Sequence, residues 1–297
     1  MKLTTVSGLY TLIKKSPVET LYSDVLKQKN INLDIKRDDL IHPVISGNKW
    51  RKLKYLLHEV EAQGYRKLAA MGGPYSNFIH ALSYVCYLLG WECDLYIRAY
   101  PEQKLTPTLE DCKKWHANII YVDRTTFKEL REAPPVLPDD VFWMTEGGMH
   151  DLALDGLKEI VEELDCPYDY IVISTATGTS VAGLIDGVAD DGGGAIVLGV
   201  SVLNNAQQQE LNISQLQRSK NTQWSVVEGY EFGGFAKKDQ VLEQFVEEFY
   251  QQHMIPLEPV YSGKSFYAVM DLVGKNYFPN DSRVLLIHCG GLQGART

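Results

Sequence analysis

The lysine at position 49 is the residue of this chain whose surroundings most clearly suggest chemistry. It lies in the run ISGNKWRKL, residues 45–53, directly after Gly47 and Asn48 and before leucines and a valine at helical spacing. This spacing predicts a helix from about Arg51 with one buried face, so that Lys49 stands at its start. A lysine amine in a cleft can attack a carbonyl carbon and form a Schiff base. Because most lysines near helix starts are solvated charges, the run alone does not decide the chemistry.

Three strand-like segments lead directly into turns of small or hydroxyl-bearing residues. The turns are Gly72 to Asn77, Thr175 to Ser180 and Cys289 to Gly291. In open α/β sheets, ligands bind outside the carboxyl ends of the strands. We therefore expect these three turns to line one crevice.

The middle turn predicts an anion site. Gly178 permits close approach to the backbone, and the following helix offers free N–H groups and the positive end of its dipole. The hydroxyls of Thr177, Thr179 and Ser180 can donate to oxygens. The turn contains neither a Walker sequence nor a GxGxxG pattern. An ordinary capped helix after a strand is the alternative interpretation.

Two other segments carry side chains that could act on a ligand. Ser76 can donate, accept or act as a nucleophile, and Asn77 can hydrogen-bond a ring hydroxyl. Near the C-terminus, the run PVYSGKS places Tyr261 and Ser262 before a glycine and a helix. Capping serines and a buried tyrosine are the simpler explanations of both segments.

The order of predicted elements indicates how these residues are positioned. Short β-rich runs alternate with helical patterns, which predicts βαβ units and mostly parallel sheets. The predicted strands are 34–37, 67–71, 94–98, 118–122, 141–145, 170–174, 195–202 and 284–288. The predicted helices are 51–62, 77–89, 108–116, 151–164, 180–190, 238–253 and 265–275. We therefore predict an α/β protein with two doubly wound, mostly parallel sheets.

Composition excludes several classes of partner. The 297 residues carry a formal charge of −9, which argues against nucleic acid or an anionic membrane as a partner. No apolar run approaches the roughly 20 residues that span a bilayer, and the first residues lack an apolar signal core. The five cysteines are scattered without a CxxC pair, which suggests neither a zinc site nor a disulfide framework. We expect a cytoplasmic protein without a metal.

Together these runs resemble the pyridoxal-phosphate-dependent family that contains 1-aminocyclopropane-1-carboxylate deaminase and D-cysteine desulfhydrase. The resemblance covers nearly the whole chain, and its motifs occur in the same order. It rests on SPV (16–18), IKRDD (35–39), SGNK (46–49), GPYSN (73–77), TGT (177–179), YSGK (261–264) and HCGGL (288–292).

The resemblance implies a tryptophan-synthase-β-like fold with pyridoxal 5'-phosphate between two domains. The large cofactor-binding domain would comprise residues 1–45 and 157–297, and the small domain residues 46–156. It also implies a small amino-acid substrate and a homodimer. Each matching position receives a role: Lys49 as the Schiff-base lysine, Asn77 beside the phenolic oxygen, Thr175, Thr177, Gly178, Thr179 and Ser180 around the phosphate, Ser76 and Tyr261 acting on the substrate, and Ser262 facing the pyridine nitrogen.

Two positions bear on the type of reaction. Deaminases of the family have a glutamate where this chain has Ser262, and a leucine where it has Cys289. A hydroxyl can leave the pyridine nitrogen unprotonated, and the weaker electron sink favours β-elimination. We therefore predict elimination from D-cysteine, giving pyruvate, ammonia and sulfide. Deamination of 1-aminocyclopropane-1-carboxylate to 2-oxobutanoate is the alternative.

Two aromatic residues depart from the family pattern. Phe78 stands where the family usually has Gln or His, and Phe235 where a second active-site tyrosine is common. Both changes remove polar groups, so a cofactor-binding protein with impaired catalysis is a further alternative. The S-x-x-K spacing of Ser46 and Lys49 also fits a serine hydrolase, although its companion motifs are absent.

Overall fold

The computed structural model describes residues 2–100 and 104–296 and contains two mostly parallel β-sheets. The strands are β1 (Val18–Leu21), β2 (Asn32–Lys36), β3 (Lys67–Gly72), β4 (Glu92–Arg98), β5 (Asn118–Val122), β6 (Val141–Met144), β7 (Tyr170–Thr175), β8 (Ile196–Ser201), β9 (Trp224–Val227) and β10 (Arg283–Ile287). One sheet has the order β1-β2-β10-β7-β8-β9 and the other β5-β4-β3-β6. Among the described strands, β1 and β2 alone pair antiparallel. The predicted fold class is confirmed.

Helices connect the strands and cover the sheets. They are α1 (Asp24–Lys29), α2 (Asn48–Ala62), α3 (Asn77–Leu89), α4 (Pro107–Lys114), α5 (Arg124–Glu132), α6 (Asp151–Glu162), α7 (Thr179–Asp190), α8 (Ala206–Leu216), α9 (Gln240–His253) and α10 (Ser262–Gly274), with short 3₁₀ turns at Val6–Leu12, Asp38–Leu40, Glu146–Gly148 and Leu292–Ala295. No described helix is long and apolar enough to cross a membrane.

The central strands form because their sequences suit burial on both faces. In β7 the run YIVIST is buried from Ile171 onward, and β10 is buried from Val284 onward. Continuous apolar runs of this kind are typical of parallel strands covered by helices on both sides. Apolar clusters fill both faces of the six-stranded sheet, and a separate cluster lies beside the four-stranded sheet. The carboxyl ends of β3, β7 and β10 are thereby held in fixed positions.

Five elements were not predicted from the sequence, and two helices begin three residues earlier than predicted, α2 at Asn48 and α10 at Ser262. The missed elements are β1, β9, α1, α5 and α8. They are short or largely polar: α5 buries only Phe127 and Leu130, and every residue of β9 is partly exposed. Helix α2 begins at Asn48 rather than Arg51, so Lys49 lies in its first turn. The domain boundaries near residues 46 and 156 stay a prediction.

Candidate active site

A cavity lies where the carboxyl ends of β3, β7 and β10 meet the start of α2. It contains about 500 Å³ of free space, part of which is open to solvent. The lining residues come from six separate parts of the chain: Asn48, Lys49, Lys52, Ser76, Asn77, Phe78, Gly147, Ser174, Thr175, Ala176, Thr177, Gly178, Ser180, Tyr261 and Cys289. All three predicted turns therefore contribute to one crevice.

Glycine at position 47 allows Lys49 to enter this cavity. Gly47 has φ +61°, and a β-carbon there would collide with the backbone carbonyl of Cys289. This close approach fixes the start of α2 against the end of β10. The Lys49 amine lies 5.8 Å from the centre of the Tyr261 ring and donates to the side-chain oxygen of Asn48. Burial lowers the pKa of Lys49, which favours the neutral, nucleophilic amine.

A second lysine, which sequence analysis missed, lies one helical turn further along α2. Lys52 is buried, and its Nζ donates to the Gly147 carbonyl at 2.9 Å. Burial, followed by the positive charge of Lys49, lowers the pKa of Lys52 to about 7. Its position in the predicted helix 51–62, three residues after Lys49, was the available signal. An anion in this cavity would compensate the positive charge of Lys52.

The turn after β7 has the geometry of an anion cradle. Gly178 adopts φ +87°, and a β-carbon there would lie 2.8 Å from Ile213 of α8. Asn212 of α8 also donates to the Thr177 carbonyl at 3.3 Å. Helix α7 then starts at Thr179 without a side-chain cap. The missed helix α8 therefore holds the turn from behind while the helix start faces the cavity.

The unsatisfied groups in this turn fit a phosphate. The buried hydroxyl of Thr175 has no hydrogen-bond partner among the described residues, although such groups are normally paired. Thr177 and Thr179 pair their hydroxyls at 3.1 Å, and Ser180 accepts from Asn48 Nδ2 at 2.8 Å. With uncapped N–H groups and Lys52 in the same cavity, the donors match an acceptor-rich dianion.

Ser76 and Asn77 face the cavity from the start of α3. Ser76 precedes the helix but makes no capping bond with its side chain, so the capping explanation does not apply to it. Asn77 is buried and accepts a hydrogen bond from Gln293 Nε2. Gly291 lies directly against the Asn77 amide, leaving no room for a β-carbon. The turn after β10 therefore fixes the orientation of Asn77.

Tyr261 lines the cavity, whereas Ser262 lies behind it. Ser262 is 1% exposed and absent from the cavity lining. Its hydroxyl accepts from the backbone N–H of Glu258 at 2.9 Å and lies 3.2 Å from Glu258 Oε1. Burial raises the pKa of the Tyr261 phenol, which keeps the phenol protonated and able to donate.

The buried carboxylate of Glu258 is the most consequential residue that sequence analysis missed. It is fully buried and accepts backbone N–H groups from Val260 at 2.7 Å, Tyr261 at 2.8 Å and Ser262 at 2.7 Å. Burial raises the pKa of Glu258, and these hydrogen bonds oppose the rise. Its position four residues before Ser262 was the available signal.

The aromatic departures occupy different positions. Phe78 is buried, lines the cavity and packs against Gly148. Phe235 does not line the cavity but lies at its edge, with its ring 5.9 Å from that of Tyr261. Burial raises the pKa of Cys289 to about 11, so the cavity contains a neutral thiol. Ser46, the serine of the S-x-x-K spacing, accepts from the Gly291 N–H at 3.2 Å.

Comparisons with known proteins place this architecture in one family. The model of the pyridoxal-phosphate dependent enzymes matches residues 10–290. The 1-aminocyclopropane-1-carboxylate deaminases of Allorhizobium ampelinum and Ralstonia pickettii are each 29% identical; the alignments cover 93% and 88% of this chain, and 92% and 87% of those proteins. A crystal structure of a homologue of that deaminase has a TM-score of 0.78 at 23% identity, covering 98% of this chain and 95% of that one.

This chain belongs to the family of pyridoxal-phosphate-dependent enzymes. The resemblance stated from its motifs is confirmed, and so is pyridoxal phosphate as its cofactor. The roles of individual residues stay predictions.

Proposed function

We propose that this protein is a lyase that deaminates a small amino acid, with pyridoxal phosphate held in the cavity between Lys49 and the turn 175–180. One observation carries the proposal. The partly exposed Lys49 and the donor turn that contains Thr175, whose hydroxyl has no partner among the described residues, line the same cavity. Lys49 would hold the cofactor covalently, the cradle and Lys52 would bind its phosphate, and Asn77 would orient its ring.

The bound cofactor supplies an electron sink that weakens bonds at the α-carbon of an amino acid. The side chains of the cavity supply proton transfer and orientation. The Lys49 amine, whose pKa is lowered by burial, could take a proton from the α-carbon of the substrate. Ser76, which lines the cavity and makes no capping bond, could act on the substrate, and Tyr261 could donate the proton of its phenol.

We favour 1-aminocyclopropane-1-carboxylate as substrate, converted with water into 2-oxobutanoate and ammonia. The prediction of D-cysteine elimination assumed that no carboxylate stands near the ring nitrogen. Glu258 weakens that assumption, because its buried carboxylate lies directly behind Ser262. A serine hydroxyl that donates to a carboxylate could accept a hydrogen bond from a protonated ring nitrogen, which would support the stronger electron sink that ring opening needs. The relatives' names favour the same substrate.

Elimination from D-cysteine, which with water gives pyruvate, ammonia and sulfide, is the second candidate. It is favoured by Ser262 itself, since this chain lacks the glutamate of the deaminase branch at that position. The third possibility, a cofactor-binding protein with impaired catalysis as suggested by Phe78 and Phe235, is distinguished by the assay of both amino acids.

Purified holoenzyme should be assayed with both amino acids, with 2-oxobutanoate, pyruvate and sulfide measured separately. We expect 2-oxobutanoate from the cyclopropane amino acid at the higher kcat/KM. Sulfide with pyruvate and no 2-oxobutanoate would reverse the order of the two candidates. A visible cofactor band without either product would identify an impaired binder.

A further inference from the structure

The segment of residues 228–239, which connects β9 to α9, lies along one face of α10. Its contacts come from Tyr261, directly before α10, and from Lys264, Tyr267 and Asp271 within α10, spaced three or four positions apart. This spacing places all four side chains on one side of the helix. Because Tyr261 lines the cavity, the segment held along this face ends beside the candidate active site.

Lys264 makes the central attachment. It is 0% exposed, and its Nζ donates to the carbonyls of Glu231 at 2.7 Å and Gly234 at 2.8 Å. No ion pair of Lys264 occurs among the described residues. Burial lowers its pKa to about 8, so holding this charge costs stability. Because this buried lysine binds two carbonyls of the segment at a cost in stability, we infer that the position of the segment is important.

The conformation of the segment is itself strained. Phe232 has φ +49° and Ala236 has φ +54°, in a region that residues with a β-carbon avoid and bulky ones seldom enter. The Phe232 ring packs edge-on against Tyr267 at 5.1 Å. Tyr230 donates its phenol to Asp271 at 2.7 Å. These contacts, together with Lys264, keep the segment in a conformation that it would not adopt alone.

The segment ends by placing Phe235 at the edge of the cavity. Its ring meets that of Tyr261 at 71°. Its Cε1 lies 3.9 Å from the point that a β-carbon on Gly73 would occupy. Tyr261 directly precedes α10, whereas Gly73 follows β3 of the other sheet. Phe235 therefore lies between the two sides of the cleft, close to the turn that carries Ser76.

We propose that Phe235 is a specificity-determining residue that forms an apolar wall for the substrate side chain, and that Lys264 is the positioning residue that holds this wall in place. The proposal rests on the proposed function, since it concerns the amino acid bound there. A phenyl ring offers no hydrogen bond, so the wall favours a small apolar side chain over a hydroxylated one of the same size.

The first test measures binding by the change in visible absorbance of the holoenzyme, which does not require turnover. D-alanine and D-serine are the probes, because they differ by one hydroxyl. We expect wild type to bind D-alanine more tightly. Phe235→Tyr should lower the ratio of the D-serine Kd to the D-alanine Kd by about tenfold, because the phenol can bond the added hydroxyl. An unchanged ratio would overturn the role of Phe235.

The second test is a double-mutant cycle. Phe235→Ala and Lys264→Met should each raise the KM for the cyclopropane amino acid about tenfold and alter kcat far less. The KM of the double variant should be no higher than that of the single variant with the higher KM, because Lys264 acts through Phe235. If the effects of the two substitutions on KM multiply, or if Lys264→Met loses affinity for the cofactor, the role of Lys264 is merely structural. If Lys264→Met does not fold, the Phe235 variants still decide.

The control is Phe245→Leu, which alters another aromatic contact of Tyr267, at 5.3 Å, outside the segment. It should leave the KM unchanged. Wild-type holoenzyme that binds neither amino acid would contradict the proposed function. If the wild type binds both amino acids and the Phe235 and Lys264 variants bind them equally well, only the proposed role of Phe235 as an apolar wall is contradicted.

Discussion

Lys49 and Lys52 share a cavity and a helical turn, yet their surroundings suit them to different tasks. Lys49 is partly exposed to the cavity beside the Tyr261 ring, where an aldehyde could be attacked. Lys52 is buried and tied to the Gly147 carbonyl, where it can serve as a fixed positive charge. The first position requires a neutral amine and the second a protonated one, which an incoming phosphate would stabilise.

We expect borohydride reduction of the holoenzyme, followed by peptide mapping, to place the cofactor on Lys49. The reason is the lowered pKa of the Lys49 amine in the same cavity as the cradle. Lys49→Ala should abolish this labelling while the chain still folds. A label on Lys52 or Lys264 would refute the assignment.

We expect Lys52→Met to weaken cofactor binding while stabilising the apoprotein. The pKa of Lys52 falls from 10.5 to about 7 on folding, so the folded state disfavours its protonation and loses stability as the pH falls from about 10.5 to 7. Methionine removes this cost. Near neutral pH the apoprotein Tm should rise by roughly 2–4 °C. The free energy of cofactor binding should become less favourable by about 1.5–3 kcal/mol, the value of one charge-assisted hydrogen bond.

Lys114→Met is the control, because that side chain is 69% exposed. It should change neither quantity. A lower Tm for Lys52→Met would mean that the lost bond to Gly147 outweighs the burial of charge.

At the scale of elements, the phosphate turn depends on three pieces of structure rather than one. Strand β7 supplies Thr175, α7 supplies its uncapped start, and α8 supports Gly178 from behind. A short turn with such backing keeps its donors in place before the ligand arrives, which reduces the ordering cost of binding.

We expect Thr179→Ala to weaken cofactor binding by about 1.5–3 kcal/mol, the value of one hydrogen bond to a charged group. Thr179→Ser retains the hydroxyl and is the matched control, with affinity near that of wild type. Both Kd values can be measured by titrating apoprotein with pyridoxal phosphate. Equal affinities of the alanine and serine variants would exclude a phosphate contact by this hydroxyl.

At the scale of the whole molecule, Arg51 connects the helix of Lys49 to two distant parts of the chain. Its Nη2 donates to Asp38 at 2.9 Å, after β2, and its Nη1 lies 2.5 Å from Glu163, at the end of α6. Lys36 also pairs with Glu163 at 2.8 Å. This largely buried network fixes α2, and therefore Lys49, relative to the six-stranded sheet.

We expect Arg51→Ala to lower the free energy of unfolding by about 3–5 kcal/mol, because it leaves buried Asp38 without its partner. Arg131→Ala is the control: that arginine pairs with Glu146 at the surface, where such pairs contribute about 0–1 kcal/mol. Urea denaturation of the three proteins measures both values. Similar losses in the two variants would show that the Arg51 network carries no special weight.

The same network predicts a dependence on acid. Burial would raise the pKa of Glu163, but the hydrogen bond and charge of Arg51, aided by Lys36, hold it below its ordinary value of 4.5. A lowered folded-state pKa gives stability that is complete above about 4.5 and is lost as the pH falls through the folded value. The difference in stability between wild type and Arg51→Ala should therefore narrow below pH 4.5. A constant difference down to pH 3 would contradict this linkage.

The homodimer and the cytoplasmic location stay predictions. Light scattering of the purified protein tests the first, and imaging of a tagged chain in its own cell tests the second.

The sequence by itself determined the fold class, the positions of Lys49 and of the turn 175–180, and the family. These depend on local patterns, because helical spacing, apolar strands and glycine-hydroxyl turns can be recognised within a few residues. Tertiary structure alone decided that Glu258 stands behind Ser262, that α8 supports Gly178, and that Lys264 holds the segment carrying Phe235. Most of these contacts join residues roughly thirty or more positions apart, and even the short Glu258–Ser262 separation became meaningful only once both side chains were seen to be buried. Which side chains meet depends on how the two sheets and their covering helices pack, and no local spacing encodes that packing.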